Sequence, residues 1–149
     1  FKVIVDYPAP EVEERIYKEH HATDRCRNLA DMGVVKALSA ESVLKIREHI
    51  RQTFVRDEVI SYVRQLIAAT RDNDALLVGA GPRAGLMLLM GAKSIARFQD
   101  RDFVTPDDIK SVFCPTLRHR IVLSPVAELE GEHPDNILHH ILDRIEVPR

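Results

Sequence analysis

The residues best suited to chemistry lie in a loop that leads into an apolar helix, Val78-Gly79-Ala80-Gly81-Pro82-Arg83-Ala84. Pro82 falls in the first turn of that helix, where a missing N–H leaves no helical hydrogen bond unmade. Arg83 then places a guanidinium with five donors at a helix N-terminus, which already favours anions. The pattern predicts a phosphate contact by Arg83, with Gly81 and Pro82 in the same site. From spacing alone, a plain tight connector fits equally well.

A phosphate contact does not by itself make an enzyme. A P-loop hydrolase needs Gly-x-x-x-x-Gly-Lys-Ser/Thr to hold phosphates and magnesium, and the sequence contains no such string. Gly79 and Gly81 lack the third glycine and the strand-helix-strand context of a dinucleotide fingerprint. The serines and threonines mostly sit at helix starts, where capping explains them. We therefore expect no catalytic residue in this chain alone.

The seven histidines do not predict a metal site. His20-His21 and His139-His140 are adjacent pairs, whose side chains diverge by about 100° on a helix. His119 lies between Arg118 and Arg120, which should lower its basicity. We treat Arg118, His119 and Arg120 as a candidate interface.

Composition narrows the class of protein. The 149 residues are 45% hydrophobic and 30% charged, with 21 Lys and Arg against 23 Asp and Glu. One helix-rich domain is expected, without a basic field for nucleic acid. The longest uncharged apolar stretch, Ala84 to Ala92, is too short for a membrane span. Cys26 and Cys114 are far apart, which favours buried reduced thiols and a cytoplasmic protein.

The elements that must position Arg83 are mostly amphipathic helices. Periodicity and caps predict helices from Glu11 to about Arg25, after Ser39, after Asp57, and from Asp135 to Arg144. In the second, Val43, Ile46, Ile50 and Phe54 mark one buried face. Thr105-Pro106-Asp107-Asp108 combines a cap hydroxyl, a first-turn proline and a capping-box carboxylate. That segment marks the most strongly signalled helix start.

Three further segments carry predictions. The helix behind Arg83, Ala84 to Ala92, is apolar on every side and should be central in the fold. Asp102-Phe103-Val104 reads as a short extended piece. The run Val3 to Tyr7 predicts a strand, which needs a sheet that this chain does not supply. Because the sequence opens on Phe1 without an initiator Met, we expect a piece of a longer protein.

Five motifs in register resemble MoxR-type AAA+ ATPases over nearly the whole chain. They are Tyr7-Pro8-x-x-Glu11-x-Glu13-Glu14, Ala69-Thr70-Arg71, Gly79-Ala80-Gly81-Pro82-Arg83-Ala84, Val104-Thr105-Pro106-Asp107-Asp108 and Leu117-Arg118-His119-Arg120. The resemblance implies a mainly α fold, an AAA+ helical lid bundle with very short strand pieces. Residues 1–8 would be the last strand of the ATPase core, and residues 9–149 the helical lid domain.

The resemblance also implies roles for individual residues. Arg83 matches the sensor 2 arginine, which would contact the terminal phosphates and couple nucleotide state to lid position. Tyr7 and Ile16 would border the adenine. ATP and Mg would be bound mainly by the core domain, so no cofactor is expected on this chain alone. Gly81 stands where many relatives have Ser. This difference leaves the arginine in place, but it implies a less rigid lid.

Partners follow from the resemblance as well. It implies contact with the protein's own AAA+ core, a homo-oligomeric and hexameric ring, chaperone-like remodelling of client proteins, and partners with von Willebrand factor A domains. An alternative is a free-standing helical interaction module, because Ala84 to Phe113 also resembles half of a histone-like fold.

Overall fold

The computed structural model describes residues 1–22 and 33–148. Two compact units are present, Ile4–Lys45 and Phe1–Val3 with Ile46–Arg149, which we call the N-terminal unit and the main unit. The described helices are α1 Pro10–Ala22, α2 Ala40–Arg51, α3 Asp57–Arg71, α4 Pro82–Phe98, α5 Pro106–Leu117, α6 Pro125–Leu129 and α7 Pro134–Arg144, and the strands are β1 Leu76–Val78 and β2 Val122–Leu123.

In the N-terminal unit, α1 begins where the charged pattern predicts a helix. Its surface carries ion pairs one turn apart, such as Lys18 Nζ to Glu14 Oε1 at 2.6 Å. The predicted end near Arg25 and the thiol of Cys26 lie outside the described residues. Residues 1–9 adopt neither helix nor strand in this chain, so the core strand at residues 1–8 stays a prediction.

α2 begins as predicted but is not buried as predicted. The Ser39 hydroxyl accepts a hydrogen bond from the Ser42 N–H at 3.0 Å and so caps the helix. None of the α2 residues is buried, so the proposed buried face is wrong. Phe54 lies beyond the end of the helix, since its backbone bridges in parallel to Phe103. Helical spacing placed Phe54 on α2, whereas pairing with a distant segment fixes it outside.

The core of the main unit is built from four helices. α4 packs against both α3 and α5, and α7 packs against the same two helices. Leu66 of α3, Leu88 of α4, Phe113 of α5 and Leu138 of α7 are fully buried. α3 starts one residue earlier than predicted: Asp57, the predicted cap, is its first residue, and the cap position belongs to Arg56, which makes no side-chain cap hydrogen bond.

α4 is central on one side only. Ala84, Leu88 and Ala92 are buried against its neighbours, while Leu86 is 61% exposed and Met90 40% exposed. The prediction that an all-apolar helix must be covered on every side is therefore wrong. Leu88 and the small residues of α4 face its neighbours, while Leu86, Met87 and Met90 remain on the surface.

α5 begins as the sequence predicts. The Thr105 hydroxyl accepts from the Asp108 N–H and the Asp108 carboxylate accepts from the Thr105 N–H, which is a complete capping box. The preceding extended piece is also present, because Val104 N donates to Phe54 O at 3.0 Å. The final helix α7 begins at Pro134, one residue before the predicted start, and ends at Arg144 as predicted.

The two strands join the segment after α3 to the segment after α5. β1, which follows α3, pairs antiparallel with β2, which follows α5. Ser124 then caps the short helix α6 by accepting a hydrogen bond from the Ala127 N–H. This small sheet lies directly before the loop that leads into α4, so it constrains where that loop starts.

Candidate functional site

Arg83 is the second residue of α4 and points its charge to solvent. Pro82 is the first residue of the helix, and the Gly81 cap residue makes no side-chain cap hydrogen bond. Arg83 is exposed, and within residues 1–22 and 33–148 its guanidinium makes no hydrogen bond or ion pair. The start of α4 therefore combines a free guanidinium with a cap residue that makes no side-chain hydrogen bond, an arrangement suited to an anion at a helix N-terminus.

The loop before Arg83 is held by the last turn of α3. Thr70 Oγ1 accepts a hydrogen bond from Ala80 N at 2.8 Å and donates one to Ile67 O at 2.7 Å. Arg71 Nε donates to Ala80 O at 2.8 Å. Ala80 is fully buried, and both of its backbone polar groups are thus satisfied by two consecutive residues of α3. We call these contacts of Thr70 and Arg71 with Ala80 the loop clamp.

Gly79 is required by the close approach of this loop to α3. A Cβ at Gly79 would lie 2.5 Å from the backbone oxygen of Thr70, closer than real Cβ atoms come. Gly81 has open space around it and a φ of −86°, so its position does not demand glycine. The two glycines of the loop have different reasons to be there.

A groove lies beside the start of α4, between α3 and α4. Its volume is about 440 Å³, and its lining is mostly apolar, from Ile67 on one helix and Leu86 on the other. Arg64 and Arg71 also line it. The surface next to Arg83 therefore offers apolar contact together with positive charge.

The other predicted nucleotide contacts lie in the N-terminal unit. The Tyr7 side chain is 99% exposed and precedes α1, and Ile16 on α1 is 48% exposed. Both side chains are available to a ligand or a partner. Their contact with adenine stays a prediction.

Arg118, His119 and Arg120 follow the end of α5. Arg118 Nη2 forms an ion pair with Asp135 Oδ2 at 2.9 Å, which links the end of α5 to the start of α7. Desolvation and the neighbouring charges of Arg120 and Arg118 lower the pKa of His119, as the sequence predicts. The Arg118 side chain therefore links α5 to α7, while the His119 side chain is exposed and can contact a partner.

Sequence reasoning missed the loop clamp. Ala69-Thr70-Arg71 drew notice only as one of five motifs in register, and neither Thr70 nor Arg71 was a candidate site residue. The available signal was a hydroxyl in the last turn of a helix, where Thr more often bonds its own backbone. Here Thr70 does that and also reaches Ala80, ten residues later.

In the part of the chain that the structure describes, no group of three or more His, Cys, Asp or Glu side chains could hold a metal ion. Across the same residues, every helix is too short or too polar to cross a lipid bilayer. Cys114 is a buried free thiol, and burial raises its pKa.

Comparison with known proteins identifies the fold. Residues 68–141 match the family described as the AAA lid domain. The chain is 30% identical to Chaperone MoxR1 of Mycobacterium tuberculosis, over 100% of the chain and 40% of that protein. Protein MoxR of Methylorubrum extorquens is 39% identical over 51 residues, 34% of this chain and 15% of that one. The predicted helical lid bundle is confirmed.

A solved structure agrees with these relatives. The crystal structure of a candidate ATPase from Cytophaga hutchinsonii superimposes with a TM-score of 0.79 at 30% identity. The match covers 97% of this chain and 45% of the solved chain. The chain thus spans less than half the length of the relatives that it matches most fully.

Proposed function

We propose that Arg83 is the sensor 2 arginine of an ATP-hydrolysing parent protein, to which this chain contributes an AAA lid domain of the MoxR type. In this proposal residues 9–149 form the lid and residues 1–8 supply the last strand of the ATPase core. The core would bind ATP and Mg, and the lid would add Arg83 to the terminal phosphates. The family match and the free guanidinium at the start of α4 support the assignment.

The observation that carries the proposal is the contrast between a free side chain and a fixed backbone. Arg83 has no partner among the described residues, yet the loop clamp holds the backbone just before it. A positive group that is fixed before the reaction stabilises developing phosphate charge without reorganising at that moment. In phosphoryl transfer, positioning and charge supply almost all of the catalysis. In this proposal, the loop clamp places Arg83 where it can stabilise that phosphate charge.

Other parts of the proposal concern the assembled protein. We propose that the lid works beside its own core in a homo-oligomeric, hexameric ring in the cytoplasm, where nucleotide state moves the lid and remodels a protein client. Tyr7 and Ile16 would border the adenine, and Arg118, His119 and Arg120 would face a neighbour. Proteins with von Willebrand factor A domains are the proposed partners. The related protein of Mycobacterium tuberculosis is named a chaperone, which is consistent with this activity.

Replacing Arg83 tests the proposal. Arg83→Ala in the full-length protein should lower ATP turnover by about 100-fold, the size of effect seen when one preorganised charge-stabilising donor is lost. Arg47→Ala is the matched control, since Arg47 lies on α2, is also exposed and, within the described residues, makes no hydrogen bond or ion pair. Steady-state ATPase kinetics of both variants would be compared. Equal turnover in Arg83→Ala and the parent would reject Arg83 as sensor 2.

A further inference from the structure

The loop clamp links the end of α3 to the residue that we propose as the nucleotide sensor. We infer that Thr70 is a positioning residue for Arg83, acting through the Ala80 N–H, and that Arg71 supports it through the Ala80 carbonyl. The inference rests on the proposed function, because it names what holds the sensor in place. Neither residue needs to touch nucleotide for this role.

Thr70 is placed so that its hydroxyl serves two elements at once. The residue is 1% exposed, its hydrogen goes to Ile67 O and its lone pair receives the Ala80 N–H. A buried N–H without an acceptor is strongly unfavourable, so the loop would move to find another partner if the hydroxyl were lost. Only Ser keeps the same donor and acceptor, whereas Val keeps the shape and removes both.

Because Ala80 and Arg83 are close in sequence, the position of Ala80 determines the position of Arg83. Two residues separate them, and Pro82 fixes its own φ near −65°. Gly81 is the remaining flexible joint, because glycine has few backbone restrictions and nothing lies within 4 Å of where its Cβ would be. With Ala80 released, Gly81 can turn and carry the first turn of α4 with it. A displacement of about 1 Å at a positioned group can lower a rate by about 100-fold.

The close contact at Gly79 limits the direction in which the loop can move when the loop clamp is lost. Since the loop already approaches Thr70 O as closely as only glycine permits, it cannot settle deeper against α3 when the hydroxyl is missing. The loop can only move outward, away from the helix end. Loss of the Thr70 hydroxyl should therefore change where Arg83 stands without collapsing the fold.

The test is a double-mutant cycle in the full-length protein. We expect Thr70→Val to lower ATP turnover by about 10- to 100-fold and Thr70→Ser to retain most of it. In the Arg83→Ala background, Thr70→Val should have little further effect, since groups that act as a unit are not additive. Thr116→Val is the control: Thr116 is 2% exposed, and its hydroxyl has no partner in the described part of the chain.

A second measurement does not depend on turnover. Hydrogen exchange followed by mass spectrometry should show faster exchange in the peptide containing Ala80 for Thr70→Val, and parental exchange for Thr70→Ser and Thr116→Val. Should Thr70→Val fail to fold, Arg71→Met removes the other contact from an exposed side chain and should lower turnover in the same non-additive way.

The outcomes separate the inference from the function on which it rests. Unchanged turnover in Arg83→Ala rejects the sensor and, with it, a positioning role toward it. If Arg83→Ala lowers turnover but Thr70→Val does not, the positioning inference alone is overturned. A full additional loss from Thr70→Val in the Arg83→Ala background, or unaltered exchange at Ala80, overturns it as well.

Discussion

Two helices of the main unit, α4 and α5, both start with proline but differ in how the helix start is capped. At α5, Thr105 and Asp108 close the helix end with their own side chains. At α4 the cap residue is Gly81, no side chain closes the end, and the chain is held instead from behind by the loop clamp.

The difference separates a structural helix start from one available to a ligand. Both carboxylate oxygens of Asp108 are occupied, by Arg101 and by Thr105, and the Asp108 side chain is 4% exposed. The N–H groups of Thr105 and Asp108 are likewise donated to each other's side chains. At α4 the guanidinium of Arg83 stays free while the backbone before it is fixed. Because the preceding backbone holds the start of α4, the side chain of Arg83 stays available.

The largest expected effect comes from opening the closed start. Asp108→Ala should lower the free energy of unfolding by about 3 kcal/mol, the low end for a broken buried ion pair, because Arg101 keeps some contact with solvent. Arg101 Nη2 lies 2.6 Å from Asp108 Oδ1, and its own side chain is 24% exposed. Urea unfolding followed by circular dichroism gives the change.

Asp107→Ala is the matched control for that experiment. Asp107 is the preceding residue, 90% exposed, and 3.9 Å from the Lys110 ammonium in a loose surface pair. Its loss should change the unfolding free energy by less than about 0.5 kcal/mol. If the two variants lost similar stability, the buried network at α5 would not be what holds that helix start.

A smaller effect should appear with pH. Burial raises the pKa of Asp108, but hydrogen bonds from Arg101 and Thr105 together with the Arg101 charge outweigh it, so the pKa is lowered overall. A lowered folded-state pKa gives stability that is present above the unfolded value, about 3.9, and is lost as pH falls through the folded one. The difference in unfolding free energy between parent and Asp108→Ala should therefore shrink below about pH 4. A difference that stayed constant down to about pH 2 would remove the ion pair as its source.

The same two helix starts show what the sequence could predict. Thr105, Pro106 and Asp108 lie within four residues, so their spacing alone marks the start of α5 and its capping box. The clamp joins Thr70 to Ala80, and that contact depends on how the chain turns back after α3. Local pattern predicted the helix and Arg83 but not the residues that hold the loop.

Tertiary pairing also explains the two main errors of the sequence analysis. Phe54 has helical spacing to Ile50, but its backbone pairs with Phe103, 49 residues later, so it lies outside α2. Leu86 belongs to an all-apolar stretch, yet it is 61% exposed because the helices cover only one side of α4. Periodicity describes a helix well and says less about how many neighbours it has.

The smallest effect comes from closing the open start. Gly81→Ser should raise the free energy of unfolding by about a few tenths of a kcal/mol, because serine at a cap position is only slightly better than glycine. A side chain there meets no atom within 4 Å, and the φ of −86° suits serine, so no strain opposes the gain. Urea unfolding of the chain measures the change.

Gly131→Ser provides the control for Gly81→Ser. Gly131 also has open space around it, but its φ is +76°, so serine there should cost about 1 kcal/mol. The two substitutions add the same side chain to equally open positions and differ in backbone conformation. A loss of stability from Gly81→Ser as large as that from Gly131→Ser would mean that the start of α4 is already closed, and the contrast with α5 would fail.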